Sequence, residues 1–185
     1  MTSMTNALLI IDIQNDYFPG GAMALHEPEA AAANAAKLVA AWRATGRPVL
    51  HAQHLSVRPG ATFFIPGTRG AEIHESVKPQ AGEFAFQKNF PNCFRETKLL
   101  EHLRGAGITQ LTIAGMMTHM CVDTTTRAAA DLGFTCALAH DACATKELAF
   151  GGAKVAAPQV QLSYMAGLNG LFAKVQSAAE LAQAA

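Results

Sequence analysis

The chain has 185 residues, half of them hydrophobic and 15% charged, and its 14 basic residues are balanced by 14 acidic ones. This composition predicts one compact domain over residues 1–185 with a sizeable core, and it excludes a disordered chain. The zero net charge and the lack of a basic run give no support for nucleic acid as a partner. No stretch is long enough for a membrane-spanning helix, and the first apolar run, residues 7–11, is too short for a signal peptide. We therefore expect a cytoplasmic protein with no membrane partner.

Strand and helix patterns alternate from the start of the chain. The continuous apolar run Ala7–Ile11 predicts a buried strand that ends at Asp12. An apolar stripe in Glu29–Ala44 is typical of a helix, and Pro48–His54 is predicted as the second strand. The stretch Leu55–Gly82 is rich in Pro and Gly, which predicts a long irregular excursion. Such excursions in compact domains usually carry function or an interface.

The same alternation continues to the end of the chain. After a strand at Glu83–Lys88, the predicted elements are a helix around Leu99–Leu103, a strand at Leu111–Ala114 ending at Gly115, a helix at Cys121–Leu132, a strand at Phe134–Ala139, a helix at Val155–Gly167, a strand at Leu171–Val175 and a terminal helix from Ser177. Alternation of this kind is typical of βαβ units. The expected fold class is α/β, with three layers and helices on both faces of a mostly parallel sheet.

Three reactive side chains follow predicted strands: Asp12 ends the first, Lys88 ends the third, and Cys121 follows the fourth at a helix start. Ligands of open α/β sheets bind beyond the carboxyl ends of the strands. The N–H groups at a helix N-terminus favour a thiolate over a thiol. Together the residues offer a base, a cation and a nucleophile for covalent acyl transfer. Taken singly, they have plainer interpretations as a turn cap, a solvated charge and a small buried thiol.

Four segments resemble the isochorismatase-like cysteine hydrolases, a family that includes nicotinamidases, N-carbamoylsarcosine amidases and ureidoacrylate amidases. The segments are Leu9–Tyr17, Glu83–Lys88, Gly115–Val122 with its continuation to Gly133, and His140–Thr145. They occur in the family's order and span most of the chain. The Gly-Met-Met-Thr-His-Met-Cys-Val segment around the thiol is the most specific of the four.

This resemblance implies a Rossmann-type sheet of six strands and a catalytic triad. Asp12 would accept the thiol proton, Lys88 would hold the charges in place, and Cys121 would form a thioester with a small amide, carbamoyl or ureido substrate. The family also implies a cis peptide between Met116 and Met117. The N–H groups of Met117 and Cys121 would then form the oxyanion hole. Since family members are usually dimers or tetramers, a homodimer or homotetramer is expected.

Two comparisons with the family narrow the chemistry. Nicotinamidases bind a metal through an Asp-x-His pair after the second strand, where this chain has His51-Ala-Gln-His54 with Ala52 in place of the Asp. We therefore expect no metal and no cofactor, and interpret the two histidines, which lie on opposite faces of the strand, as structural or pocket-edge residues. The thiol of Cys121 favours C–N cleavage. Vinyl ether hydrolysis of isochorismate, or a non-catalytic redox-sensing role, remains as an alternative.

The substrate pocket is the part that the sequence defines least. Tyr17, Phe18, Phe64 and His119 are the candidate substrate-binding residues, because Tyr17 closes the opening motif and His119 lies just before the nucleophile. Phe63 is also a candidate, although Phe63 and Phe64 have a stronger interpretation as core or interface residues. Packing in the core is expected of the remaining thiols, Cys93, Cys136 and Cys143. The sequence does not specify which small molecule binds.

Overall fold

The computed structural model describes residues 6–185. Its strands are β1 (Asn6–Ile11), β2 (Val49–His54), β3 (Phe84–Lys88), β4 (Gln110–Met116), β5 (Thr135–Ala144), β6 (Leu148–Phe150), β7 (Ala153–Val155) and β8 (Lys174–Gln176). Its α-helices are α1 (Pro28–Ala44), α2 (Leu99–Gly105), α3 (Asp123–Asp131), α4 (Ala157–Leu168) and α5 (Ala178–Gln183). Six strands form one sheet in the order β3-β2-β1-β4-β5-β8, and all of its strand pairs are parallel. The expected α/β class is confirmed.

The helices cover both faces of this sheet and make it the middle of three layers. On one face, Leu8 and Ile10 of β1 belong to the same buried cluster as Trp42 of α1 and residues of α5. On the other face, Leu9 and Ile11 share a cluster with residues of α2, α3 and α4. Burying one such side chain contributes about 1.5–3 kcal/mol. The central strand is therefore anchored from both sides.

The strand order reverses beside β1, because β2 and β3 lie on one side of it and β4, β5 and β8 on the other. In an open parallel sheet, a crevice forms outside the carboxyl ends of the strands at such a reversal. Asp12 directly follows β1, and Cys121 follows β4. The fold thus places the acid and the thiol on the two sides of this crevice.

Close approach of β1 and β4 explains the glycine at the start of the nucleophile segment. Gly115 pairs with Ile11, and a Cβ at position 115 would lie 2.1 Å from the Ile11 carbonyl oxygen. Its φ of +148° is also one that side chains disfavour. A larger residue at this position would push the two strands apart at the crevice.

Several predicted boundaries in the second half are wrong. The predicted helix Cys121–Leu132 begins earlier, because a π-helical turn at residues 118–122 runs directly into α3 at Asp123. The predicted strand Phe134–Ala139 continues to Ala144. A register shift between Ile113 and Gly115 lets this added half of β5 pair again with the end of β4.

The region after β5 contains a hairpin that the sequence patterns did not predict. β6 and β7 pair antiparallel around Gly151 and Gly152. The hairpin includes Val155, so α4 begins at Ala157 rather than at Val155. The last strand lies at Lys174–Gln176 instead of Leu171–Val175. No helix in residues 6–185 is long and apolar enough to cross a bilayer.

Candidate active site

A buried ion pair lies at the carboxyl edge of the sheet. Lys88 Nζ donates a hydrogen bond of 2.7 Å to Asp12 Oδ2, and both side chains are 0% exposed. The same ammonium lies 3.1 Å from His54 Nδ1 and donates to the Phe90 carbonyl at 3.2 Å. Burial disfavours the charge, but the carboxylate of Asp12 outweighs it and raises the pKa of Lys88 above its ordinary value. Lys88 is therefore a permanent cation.

Asp12 leaves its second carboxylate oxygen free. Oδ1 is buried and has no hydrogen-bond partner among the described residues. A carboxylate oxygen of Asp12, a ring nitrogen of His54 and Cys121 Sγ all lie within 4.8 Å of one another. The backbone of Asp12 is left-handed, with φ of 51°, a conformation that is uncommon for non-glycine residues.

The surroundings of Cys121 favour the thiol over the thiolate. Burial first, and then the charge of Asp12, raise its pKa well above the ordinary value, and the opposing charge of Lys88 does not compensate. These two effects oppose the N–H groups of the helix start, which were expected to favour the thiolate. Cys121 is buried beside a carboxylate, in a π-helical turn that runs directly into α3.

The nucleophile segment is fixed by its neighbours on both sides. It leaves β4 through a cis peptide between Met116 and Met117, as the resemblance implied. The hydroxyl of Thr118 then lies 2.6 Å from Gln161 Oε1 of α4 and 3.2 Å from the Ala144 carbonyl of β5. These contacts hold the turn that carries Cys121 against two other elements.

Cys121 opens onto a cavity of about 360 Å³, close to the lower limit for small-molecule sites. The opening motif and the nucleophile segment form one side of it, and the irregular excursion after β2 forms the other. Its wall consists of Tyr17, His54, residues 56–61, Phe63, Asn89, Pro91, Met117, Met120 and Cys121. A small substrate matches this size.

Of the four candidate substrate-binding residues, Tyr17 alone is part of this wall. Phe64 is fully buried behind it, with ring centroids 4.6 Å apart, and Phe18 stacks on His74 instead. His119 bonds to Thr145 Oγ1 at 2.6 Å, outside the cavity wall. Phe18, Phe64 and His119 therefore support neighbouring structure. Phe63, favoured by the sequence as a core or interface residue, is exposed to the cavity.

Two polar residues of the opening motif hold the excursion in place. Buried Asp16 accepts hydrogen bonds from the N–H groups of Phe64 at 2.6 Å and Ala22 at 3.1 Å. Buried Gln14 bonds to both backbone groups of His54, at 2.7 and 2.9 Å, and to the Ala71 carbonyl at 2.8 Å. The motif thus shapes the cavity as well as supplying Asp12. Gln14 carried no signal of this role in the sequence.

The donor atoms around Asp12 fit an ammonium better than a metal ion. Asp12, His54 and Cys121 are the one group in residues 6–185 whose geometry suits a metal. However, Lys88 already contacts the first two of them, so a divalent cation bound there would face its positive charge. His51 lies away from this group, with its Nε2 2.9 Å from a carboxylate oxygen of Glu83.

The class of protein is thus a three-layer α/β enzyme of the Rossmann type, with a buried acid–ammonium pair beside a thiol at the strand reversal of its parallel six-stranded sheet. The sequence profile of the isochorismatase domain matches residues 6–180. The chain therefore belongs to the isochorismatase family, and it is an isochorismatase-family hydrolase.

Three comparisons illustrate this membership. Isochorismatase family protein YddQ of Bacillus subtilis is 49% identical over 94% of this chain and 97% of that protein. A solved structure from Oleispira antarctica is also 49% identical, with a TM-score of 0.95 over 99% of this chain and 98% of the other. Streptothricin hydrolase of Streptomyces noursei is 37% identical over 77% of this chain and 50% of its own length.

Proposed function

We propose that this protein is a cysteine hydrolase that cleaves the C–N bond of a small amide, carbamoyl or ureido compound through a thioester on Cys121. One observation carries the proposal: Asp12 Oδ1 is buried and unpartnered near the thiol, while Oδ2 is held by Lys88. A carboxylate fixed at one oxygen keeps the other available as a general base. The similarity to a streptothricin hydrolase supports a hydrolytic reaction.

In the first half of the reaction, Asp12 takes the thiol proton as Cys121 Sγ attacks the carbonyl carbon. Transfer of the proton together with attack suits a thiol whose pKa is raised, because a free thiolate is not required beforehand. The tetrahedral intermediate then collapses. The C–N bond breaks, the leaving nitrogen takes the proton from Asp12, and the acyl group stays on Cys121.

In the second half, water replaces the released amine or ammonia. Asp12 takes a proton from this water as its oxygen attacks the thioester carbon. The C–S bond breaks, the sulfur recovers a proton, and an acid is released. Lys88 remains charged throughout, and it limits the electrostatic cost of the negative charge that moves between Asp12 and the sulfur.

The oxyanion of both intermediates would be bound by the N–H groups of Met117 and Cys121. Met117 and Cys121 line the cavity together, so a carbonyl held near the sulfur is also near this backbone. Preorganised N–H donors of this kind contribute about 3–4 kcal/mol to catalysis.

The test combines product detection with mass spectrometry. The protein is incubated with nicotinamide, N-carbamoylsarcosine, ureidoacrylate and isochorismate, and the released ammonia is measured. The intact mass of the protein in quenched samples is determined by mass spectrometry. We expect ammonia from at least one amide and an acyl adduct that peptide mapping locates on Cys121. Isochorismate turnover with no amide turnover would favour the ether-cleaving alternative. Oxidation of Cys121 by peroxide without any turnover would favour redox sensing.

Matched thiol variants distinguish the loss of the nucleophile from general damage to the fold. Cys121→Ala is expected to lose at least about 1000-fold in kcat, as for removal of a nucleophile in other hydrolases. Cys136→Ala is the control, since Cys136 is equally buried but pairs with Leu111 at the opposite end of β4. Full activity in Cys121→Ala would refute the proposal.

We also propose, from the family resemblance, that the protein is a homodimer or homotetramer. Sedimentation equilibrium of the purified chain tests this, and a monomer at micromolar concentration would contradict it.

A further inference from the structure

The contacts of His54 determine which of its ring nitrogens carries a proton. Nδ1 lies 3.1 Å from Lys88 Nζ, and an ammonium donates hydrogen bonds but accepts none. Nδ1 must therefore be the acceptor. The proton of the neutral ring then lies on Nε2. Burial, and next the charge of Lys88, lower the pKa of His54, which agrees with a neutral ring.

The ring is held firmly, yet its second nitrogen is free. The Gln14 side chain bonds to both the N–H and the carbonyl of His54, so its backbone is fixed on either side. His54 lines the same cavity as Cys121. Within residues 6–185, the His54 ring makes its one hydrogen bond through Nδ1, so its Nε2 has no partner there. A preorganised N–H donor is thus available to a molecule in the cavity.

The surrounding charges determine which kind of group can accept a hydrogen bond from this N–H. The charged and titratable groups around His54 are Lys88 of β3, Asp12 after β1, Cys121 of the nucleophile turn and Arg58 of the excursion. Asp12 is paired with Lys88, which leaves Arg58, with no acidic partner in the described chain, as the net charge at this wall. Positive potential and an N–H donor together favour an oxygen acceptor and disfavour an ammonium group.

We propose that His54 is a specificity-determining residue, whose Nε2–H donates to a second oxygen of the substrate, close to the amide that Cys121 attacks. The substrate class is then a small amide with a neighbouring carbonyl or carboxylate oxygen. This inference rests on the proposed function, because it assumes that Cys121 takes the acyl group. It adds a residue that recognises the second oxygen of the substrate.

The competing role for His54 is to support Lys88 alone, and two conservative variants separate the roles. An Asn side chain places an oxygen near the position of Nδ1, so His54→Asn keeps an acceptor for Lys88 and loses the distal donor. A Gln side chain reaches the position of Nε2, so His54→Gln keeps the donor to the cavity and loses the near acceptor. The specificity role predicts that only His54→Asn loses the preference for a substrate with a second oxygen, whereas the supporting role predicts that neither variant changes this preference.

The kinetic experiment uses malonamate and butyramide, two primary amides of similar size that differ in the second oxygen acceptor. Wild type is expected to prefer malonamate. His54→Asn is expected to lower the ratio of kcat/KM for malonamate to kcat/KM for butyramide by about 10- to 100-fold, mainly through the KM for malonamate. His54→Gln is expected to keep this ratio within about threefold of the wild-type ratio, whatever both activities lose through Lys88. An unchanged ratio in His54→Asn, or an equal or larger fall of the ratio in His54→Gln, would overturn the inference.

A measurement on the free protein keeps the two proposals distinguishable. Nitrogen NMR of protein labelled with ¹⁵N-histidine, with His54 assigned by comparison with His54→Gln, is expected to show a neutral ring protonated at Nε2 at pH 7. Malonamate, but not butyramide, is expected to shift that Nε2–H signal even in Cys121→Ala. An imidazolium, an Nδ1–H ring or an unchanged signal would overturn the inference, whereas an absent Cys121 adduct in wild type would overturn only the proposed function.

Discussion

Asp12 uses its two oxygens for different purposes, and this division depends on Lys88. Oδ2 accepts a hydrogen bond from the ammonium, while Oδ1 has no partner among the described residues. A fully buried carboxylate without a partner is strongly destabilising. Lys88 therefore compensates the carboxylate of Asp12 and leaves unoccupied the oxygen that we propose as the proton acceptor.

The ion pair predicts a characteristic pattern of stabilities. Lys88→Met leaves the charge of Asp12 uncompensated, and we expect a loss of about 3–5 kcal/mol in the free energy of unfolding. The double variant Asp12→Asn with Lys88→Met is expected to recover a large part of this loss, because no buried charge remains. Guanidinium denaturation at pH 7 measures both, and neither protein should turn over substrate. A double variant no more stable than Lys88→Met would show that the pairing is not the cause.

At the level of elements, the cavity depends on how the excursion after β2 is attached to the opening motif. Asp16 accepts a hydrogen bond from Phe64, and Gly70 packs against the Asp16 carboxylate, where a Cβ would lie 2.1 Å from Oδ1. The position of Phe63 in the cavity wall follows from this attachment, since it is the neighbour of Phe64.

Gly70→Ala tests that attachment. The added methyl group must displace Asp16, so we expect a loss of about 1–3 kcal/mol in stability and a lower kcat/KM as Phe63 moves. Gly105→Ala is the matched control, because a Cβ at the end of α2 meets no atom within 4 Å. Its stability is expected to change by less than about 0.5 kcal/mol. Chemical denaturation and amide turnover are measured for both, and equal behaviour of the two variants would contradict the proposed attachment.

The same attachment explains which features of the site could be predicted from sequence. Asp12, Lys88 and Cys121 were found because apolar strands are local patterns and their carboxyl ends meet at one edge. The orientation of Phe63 and Phe64 was not predictable, since it depends on a left-handed φ of 55° at Phe64 and on a hydrogen bond to Asp16, distant in the chain.

The hairpin of β6 and β7 was missed for a different reason. Its two strands have three residues each, and all six residues are half-buried or exposed, so the strands are too short to show a periodic pattern. The raised pKa of Cys121 could not be predicted, because burial and the neighbouring carboxylate are properties of the assembled site.

For the molecule as a whole, Glu83 connects elements that are distant along the chain. It precedes β3, and its carboxylate accepts hydrogen bonds from Arg43 of α1 at 2.7 and 2.9 Å. It also contacts His51 of β2 at 2.9 Å and the N–H of Gln80 at 2.8 Å. Glu83 thus links one helical layer to the edge of the sheet that carries Lys88.

This linkage predicts part of the protein's acid sensitivity. Although burial acts in the opposite direction, the hydrogen bonds from Arg43, Gln80 and His51 lower the pKa of Glu83 from 4.5 to about 2. Because the folded-state pKa is depressed, the stabilisation is complete above pH 4.5 and is lost as the pH falls toward 2. Its size is about 1–3 kcal/mol. Glu83→Gln is therefore expected to be less stable than wild type at pH 7 and to approach it as the pH falls.

Urea denaturation at a series of pH values between 7 and 2.5 measures this convergence. The control is Glu75→Gln, since Glu75 is 84% exposed in an ion pair with Lys78 and such surface pairs contribute at most about 1 kcal/mol. Its stability is expected to follow that of wild type over the whole range. A constant difference between Glu83→Gln and wild type at every pH would mean that the substitution acts through packing, and that the charge of Glu83 does not hold α1 to the sheet.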